Sequence, residues 1–195
     1  MKKLLFVLPI ILMVSVFIFG GCAKPALNLV PPPTGHELLL KAFEESGGQT
    51  VDLVVDQEVA KVTVDMFKWW MGGGNIAPYY RLWWPEMHYE VQFVTPPGGG
   101  QMNVIIKEMI WPYYTEFRCL LIPGGIGFLG PDGQKIGQLI HTPTASAKGI
   151  KLNSVFTFPA KTPQSFIDAM EVHCVGEMQD FTRFLPELYK QKTAK

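Results

Sequence analysis

The C-terminal segment from Thr162 to Tyr189 constrains the fold most, because its pattern predicts one long amphipathic helix. Thr162 suits the N-cap and Pro163 the first helical position, while Pro186 is expected to kink or end the helix. Apolar side chains recur three or four positions apart: Phe166, Met170, Cys174, Met178, Phe181 and Leu185. Such a stripe faces a core, so the rest of the chain must supply a layer for this helix to cover.

The residues before this helix predict several short strands separated by turns. Strands are expected at residues 51–55, 89–95, 102–110, 113–122 and 151–158, with a further hairpin inside 128–140 that turns at Pro131-Asp132-Gly133. Short helices are expected at residues 36–46 and from Thr63 through Trp70. This order predicts an α+β fold, a curved antiparallel sheet packed on the long C-terminal helix with a cavity between the layers.

The N-terminal residues have the pattern of an export leader. Lys2 and Lys3 precede an apolar run over residues 4–19, and Gly21-Cys22 follows, which resembles the lipobox of bacterial lipoproteins. We therefore predict a lipoprotein-type signal peptide at residues 1–21, lipidation at Cys22, a Pro-rich tether at 22–35 and a single domain at 36–195. A plain membrane anchor is the alternative. Both place the domain outside the cytoplasm, on a membrane facing the periplasm or the exterior of a bacterial cell.

Charge and motifs exclude several classes of function. Lys and Arg together number 17, as do Asp and Glu, so the formal net charge is zero and nucleic-acid binding has no electrostatic support. The sequence has no Walker loop, no nucleophile elbow and no Cys-x-x-Cys pair. Cys119 and Cys174 could form a disulfide outside the cytoplasm or remain buried thiols.

Two histidines and two carboxylates are candidates for a metal site. His173 and Glu177 are four residues apart and border the apolar stripe, so both are expected to face the sheet. His88 and Glu116 lie in or beside predicted strands and would complete a mixed nitrogen and oxygen site suited to zinc or a similar divalent ion. The alternatives are a structural His–Glu pair on the helix and an ion pair between Glu116 and Arg118.

Four sequence blocks carry a resemblance to a known family. They are residues 65–70 (DMFKWW), 80–88 (YRLWWPEMH), 173–178 (HCVGEM) and 184–189 (FLPELY). In these blocks the chain resembles the diacetylphloroglucinol hydrolase and phloretin hydrolase family, and the resemblance spans roughly residues 51–189, most of the mature chain. It implies a Bet v 1/START-like helix-grip fold. The leader predicts that this chain is an exported lipoprotein member, whereas the known activity belongs to soluble enzymes. Trp84 stands where the family pattern has a histidine.

The resemblance also implies a metal site and an activity. Its two-His, two-Glu metal set falls on His88, His173, Glu177 and Glu116, with Glu108 as the competitor for the last position. The family cleaves a carbon–carbon bond between an acyl group and a phenolic ring. By that resemblance Tyr80 would bind ring hydroxyls, and His141 could shuttle a proton to the ring carbon.

Three functions remain open from the sequence. The first is a metal-dependent hydrolase of acylated phenols or a related ketone. The second is a non-catalytic helix-grip lipoprotein that binds or carries an apolar or aromatic ligand. The third is a structural lipoprotein in which the His and Glu side chains form a buried polar network without metal.

Overall fold

The computed structural model of this chain describes residues 33–72, 76–95 and 103–194. The predicted signal peptide, its lipidation site Cys22 and nearly all of the predicted tether lie outside these ranges. Among the described helices, none is both long and apolar enough to cross a membrane.

Four α-helices and seven strands make up the described domain, together with one 3-10 helix. In chain order they are α1 (Gly35–Ser46), β1 (Thr50–Ala60), α2 (Val64–Met71), α3 (Ile76–Tyr79), the 3-10 helix Tyr80–Leu82, β2 (His88–Val94), β3 (Asn103–Ile110), β4 (Tyr113–Ile122), β5 (Gly125–Leu129), β6 (Lys135–Ala145), β7 (Gly149–Pro159) and α4 (Gln164–Thr193).

The seven strands form one antiparallel sheet in the order β1-β7-β6-β5-β4-β3-β2. Consecutive strands pair with each other from β2 through β7, and β1 pairs with β7 to form one edge of the sheet. Alternation in β7 turns Leu152, Phe156 and Phe158 inward, where each is almost completely buried. The α+β prediction of a sheet packed on a long C-terminal helix is confirmed.

The C-terminal helix α4 supplies the other side of the core. Its predicted apolar stripe is buried, and Phe166, Cys174, Met178, Phe181 and Leu185 are at most 1% exposed. Pro186 lies inside the helix and does not end it, since α4 continues to Thr193.

The start of α4 differs from the prediction by one residue. Pro163 has extended backbone angles and is itself the N-cap, so Thr162 lies outside the helix. The Thr162 hydroxyl is buried and has no hydrogen-bond partner in the structure. The preference of Thr for N-caps was outweighed here by the extended conformation of Pro163.

The first helix also begins slightly earlier than predicted. Thr34 caps α1 through a capping box, accepting from the Glu37 amide at 3.2 Å while its own amide donates to the Glu37 carboxylate at 2.7 Å. Gly35 thus belongs to α1 and Thr34 is its cap, although both lie within the predicted tether.

Residues 76–84 form a segment that the sequence did not predict as helix. It consists of α3 and the 3-10 helix, followed by a turn at Trp83 and Trp84. Trp83 stacks on Phe181 of α4 with ring centroids 4.7 Å apart, and Trp70 meets the edge of Trp83 at 5.7 Å. These aromatic contacts hold the segment against the C-terminal helix.

Candidate functional site

Four ionisable side chains from three elements meet between the sheet and α4. His88 begins β2 and lies opposite Glu108 of β3 in the strand register. Glu108 belongs to the inward phase of β3, with Val104 and Ile110, so its carboxylate points away from solvent. His173 and Glu177 are one helical turn apart on α4 and face the same space.

The two imidazoles and the two carboxylates alternate around a common centre, so that each imidazole lies near both carboxylates. His88 Nε2 lies 3.5 Å from Glu177 Oε2 and 3.8 Å from Glu108 Oε2. His173 Nε2 lies 3.7 Å from Glu177 Oε2 and 3.8 Å from Glu108 Oε2. Each of the two Nε2 atoms thus lies between two carboxylate oxygens, at distances too long for a good hydrogen bond.

The structure corrects the prediction for Glu116. Its side chain is exposed on the outer face of β4, opposite Lys107 in the register. The neighbours two residues away, Tyr114 and Arg118, are exposed as well, because alternate residues of a strand share a face. Glu108, the competing residue, occupies the place in the cluster that the sequence assigned to Glu116.

Burial makes the charged forms of these four side chains costly in free energy. His88, Glu108, His173 and Glu177 are all less than 9% exposed, and lone buried carboxylates are costly. Burial by itself raises the pKa of Glu108, but His173, His88 and a Tyr80 hydrogen bond outweigh it and lower the pKa to about 2. Burial lowers the pKa of His173, and the two carboxylates outweigh that effect and raise it. The cluster therefore requires compensating positive charge.

A divalent cation fits this arrangement. Both histidine Nε2 atoms are buried without a hydrogen-bond partner in the structure, and ligand atoms of His88, His173 and Glu177 lie within 4.8 Å of one another. Ligands at the bond lengths of tetrahedral zinc are about 3.3 Å apart, close to the nitrogen–oxygen distances observed here. The residues that would hold the ion are His88, Glu108, His173 and Glu177, with imidazole and carboxylate ligands that suit zinc.

Tyr80 lies beside this cluster rather than apart from it. Its hydroxyl donates a 2.7 Å hydrogen bond to Glu108 Oε2, and its ring stacks on His88 with centroids 4.4 Å apart. Burial and the Glu108 carboxylate raise the pKa of Tyr80 well above its usual value, so the phenol stays protonated and remains a donor. Tyr80 also lines the cavity, which is compatible with its predicted role in ligand binding.

The turn at Trp83 and Trp84 is fastened to α4 by hydrogen bonds. Trp83 Nε1 donates to the Glu177 carbonyl at 2.5 Å, and the Trp84 amide donates to Asp180 Oδ2 at 3.0 Å. Arg183 holds Asp180 at 2.7 Å and also donates to the Leu82 carbonyl. The turn and the helix that carry the two histidines are thus positioned as one unit.

Trp84 packs closely on α4 between His173 and Glu177. Its ring stacks on His173 with centroids 5.1 Å apart and 23° between the planes. A Cβ at Gly176 would lie within 3 Å of three carbons of the Trp84 ring, so only glycine allows this approach. Trp84 itself has φ of 53°, an uncommon conformation for a non-glycine residue. The sequence contained both residues but no signal that they touch.

A cavity of about 600 Å³ opens next to the cluster. Glu108, His173 and Glu177 reach its wall, together with Tyr80 and His141. The remaining lining is mostly apolar, contributed by strands β2 to β7, α2 and α4, and includes Phe93, Ile106, Phe117, Ile126, Phe128, Leu139, Phe156 and Met170. The cavity that the sequence predicted between sheet and helix is therefore present.

His141 lies in the cavity wall. Its Nδ1 is 2.8 Å from the Ser154 hydroxyl, and its ring meets Phe67 edge-on. It has no contact with the two histidines of the cluster among the interactions of the described residues. Burial lowers the pKa of His141 to about 4, so its imidazole is neutral at pH 7. Its proton-shuttle role stays a prediction.

We expect His141 to make stability depend on pH. Its pKa is about 4 when folded, against 6.5 for an unperturbed histidine, so the unfolded chain binds more protons in this window. The stabilisation is complete above pH 6.5 and decreases as the pH falls towards 4, by about 2 kcal/mol between pH 7 and 4.5. The His141→Gln variant should lose this component. The measurement is denaturant unfolding at several pH values with chelator present, and parallel pH profiles for parent and variant would contradict it.

Cys119 and Cys174 are free thiols in the structure, and both are buried. Burial raises the pKa of each thiol, which suppresses the reactive thiolate. Of the two possibilities left by the sequence, the structure corresponds to buried, unreactive cysteines.

Solved structures show which fold this arrangement belongs to. Ara h 8.0201 is similar at a TM-score of 0.50 and 12% identity, covering 71% of this chain and 99% of that one. A norcoclaurine synthase mutant from Thalictrum flavum is similar at a TM-score of 0.46 and 11% identity, covering 75% of this chain and 99% of that one. An AHSA1-like protein from Aeromonas hydrophila is similar at a TM-score of 0.44 and 12% identity, covering 74% of this chain and 98% of that one. The chain has a Bet v 1/START-like helix-grip fold.

At these identities the similarity shows the fold of this helix-grip chain and nothing about its chemistry. No protein-family model matches the chain, and no curated protein matches its sequence. The resemblance to the diacetylphloroglucinol and phloretin hydrolases therefore stays a prediction.

Proposed function

We propose that this protein binds a small aromatic or apolar molecule in the cavity between its sheet and α4. The observation that supports this most is the cavity itself, about 600 Å³ in volume and lined mainly by apolar and aromatic side chains. Small-molecule sites commonly have this size and a few polar groups that orient the ligand. Here Tyr80, Glu108 and His141 are such groups, and most of the remaining wall is apolar or aromatic.

We further propose that the cluster at the cavity wall holds one divalent ion, and its imidazole and carboxylate groups favour zinc. Its ligands would be His88, Glu108, His173 and Glu177, whose buried charges an ion of charge +2 balances. A bound ion would polarise a carbonyl or lower the pKa of a water molecule. A ligand bearing a ketone or phenol oxygen could then be oriented from one end of the cavity while its apolar part fills the rest.

Filling the cavity should weaken ligand binding. Ile126 faces the cavity from β5, and we expect Ile126→Trp to weaken binding of the fluorescent probe 8-anilinonaphthalene-1-sulfonate at least about 10-fold, since the indole occupies ligand volume. Val54→Trp is the matched control, because Val54 of β1 is 53% exposed on the outer surface of the domain. Equal probe titrations for the two variants would overturn the proposal that this cavity is the binding site.

A second candidate function is hydrolysis of an acylated phenol. It is favoured by the position of the four-residue cluster, because three of its members border the cavity where a substrate carbonyl would lie. In this reaction the oxygen of water goes to the acyl carbon and a proton goes to the ring carbon, so the products are a carboxylic acid and a phenol. Tyr80 would orient the ring, and neutral His141 could carry the proton.

Zinc-dependent release of acetate from diacetylphloroglucinol, lost in His173→Ala, would support the hydrolase. Probe binding with no turnover would leave the carrier function. A protein that takes up neither metal nor probe would instead be the structural lipoprotein with a buried polar network.

We also propose that the domain is exported and anchored to a membrane through lipid on Cys22, as the leader pattern predicts. Mass spectrometry of the N-terminal peptide tests this directly. A chain that begins at Cys22 with added acyl mass is expected, and an unmodified cysteine would contradict it.

A further inference from the structure

The turn between β3 and β4 presents an aromatic surface to solvent. Trp111 in this turn is 72% exposed, and the other four tryptophans are buried or partly buried. Nearby, Tyr89 and Tyr114 stack with centroids 6.2 Å apart and are 38% and 40% exposed. We call these three residues the aromatic patch. A cluster of large exposed aromatic side chains marks an interaction surface.

The chain enters the domain at the same end of the sheet as this patch. Gly35, the first residue of α1, packs closely against Thr115 and Phe166. The Phe166 ring in turn meets the edge of Tyr113 at 5.3 Å, and Tyr113 follows the Trp111 turn directly. The start of α1 therefore lies at the end of the sheet that carries the Trp111 turn.

The residues before α1 indicate which partner the aromatic patch contacts, because they are predicted to attach the chain to a membrane. Membrane attachment is predicted through lipid on Cys22, or through the apolar run at residues 4–19 in the alternative, so no more than residues 20–34 separate the attachment point from α1. A Pro-rich link of this length spans about 40 Å when extended, so it holds the domain near a bilayer without fixing its orientation. Trp and Tyr are the side chains that favour the membrane–water interface.

We propose that the aromatic patch docks the domain on the bilayer surface, with Trp111 inserted at the headgroup level. The proposal depends on membrane attachment through the N-terminal segment and is independent of the ligand and metal proposed above. The partner is the lipid interface itself, because Trp111 is 72% exposed in its turn and two exposed tyrosines lie on β2 and β4. The start of α1, which follows the predicted tether, lies at the same end of the sheet.

This orientation has a consequence for the cavity. The exposed residues in the cavity lining are Lys68 and Gly72 of α2 and Pro123 and Gly124 of the β4–β5 turn. They mark the opening, which lies at the far end of β4 from Trp111, about 30 Å away at the usual rise per strand residue. A domain docked through the aromatic patch would therefore open its cavity towards the aqueous phase and take its ligand from there.

Tryptophan fluorescence of the full chain tests the proposal. The protein is added to preformed phosphatidylcholine–phosphatidylglycerol vesicles, with and without brominated acyl chains, and compared with Trp111→Phe. Phenylalanine keeps the apolar character of the turn but removes its fluorophore, so the difference between the proteins reports Trp111 alone. We expect brominated lipid to quench the parent and to leave the variant largely unquenched, and vesicles to shield Trp111 from aqueous iodide.

Each other outcome overturns the proposal. Equal quenching of parent and variant on vesicles, with Trp111 still open to iodide, would show that the turn faces water. Iodide shielding without quenching by brominated lipid, increasing with protein concentration, would assign the patch to contact between copies of the chain. Failure of the full chain to associate with vesicles would remove the membrane as partner altogether.

Discussion

Replacing Glu108 by glutamine should weaken zinc binding at least about 100-fold, while replacing Glu116 by glutamine should leave it unchanged. Glu108 Oε2 lies 3.8 Å from both His88 Nε2 and His173 Nε2, so it supplies one of the two negative charges that a divalent ion would neutralise. Loss of even an outer partner of a metal ligand commonly costs 10- to 100-fold in affinity. Zinc titration against a competing chelator, with metal content of the purified protein, measures the effect.

The pair of variants makes this test specific. Glutamine keeps the shape of glutamate and can still accept the Tyr80 hydrogen bond, so Glu108→Gln is expected to remain folded, which circular dichroism checks. Glu116→Gln removes the same charge from the exposed face of β4 and controls for net charge. Equal zinc affinity in both variants would contradict a metal at this cluster. Zinc uptake by the parent should also raise its melting temperature, because binding to the folded state alone stabilises it.

Substituting alanine for Gly176 should destabilise the fold by up to about 2 kcal/mol, although alanine normally stabilises a helix. The propensity gain is about 1 kcal/mol, but the new methyl group would overlap the Trp84 ring, and overpacking typically costs about 1–3 kcal/mol. Because Trp84 stacks on His173, its displacement should also lower zinc affinity. Denaturant unfolding and zinc titration of Gly176→Ala measure both consequences.

A second background tests the cause. In a Trp84→Ala protein the obstructing ring is absent, so Gly176→Ala should become neutral or stabilising, and the sign of its effect on unfolding free energy should reverse. The double-mutant cycle isolates the contact between these two residues. If Gly176→Ala destabilised both backgrounds equally, the close packing of Trp84 would not be the reason for a glycine at this position.

The helix and sheet layers of the fold were predictable from the sequence, because the spacing of apolar residues differs between helices and strands. The stripe from Phe166 to Leu185 repeats at the helical period, and alternation marks strands such as β4, whose predicted bounds agree with the structure. The segment at residues 76–84 was not predicted as helix, since α3 and the 3-10 helix are too short to show a period. Their conformation depends on the packing of Trp83 against Phe181.

The candidate cluster was predictable in part. His173 and Glu177 share a helix face by their spacing, and His88 was singled out by its position after the Trp-Trp-Pro turn. Glu108 could have been preferred to Glu116 from alternation alone, because Glu108 shares the phase of Val104 and Ile110 while Glu116 shares that of Arg118. The alternation of apolar and polar residues along β3 and β4 was therefore sufficient to place Glu108 on the inner face of the sheet and Glu116 on the outer face.

By itself the sequence determined the classes of element, their order, and the helix face that carries one histidine and one glutamate. These follow from local periodicity, which depends only on neighbouring residues. The tertiary structure alone decided that Glu108 lies opposite His88, that Trp84 packs on Gly176, and that Trp111 shares one end of the domain with the start of α1. Each of these depends on contacts between residues distant in the chain, and strand register and helix packing set those contacts.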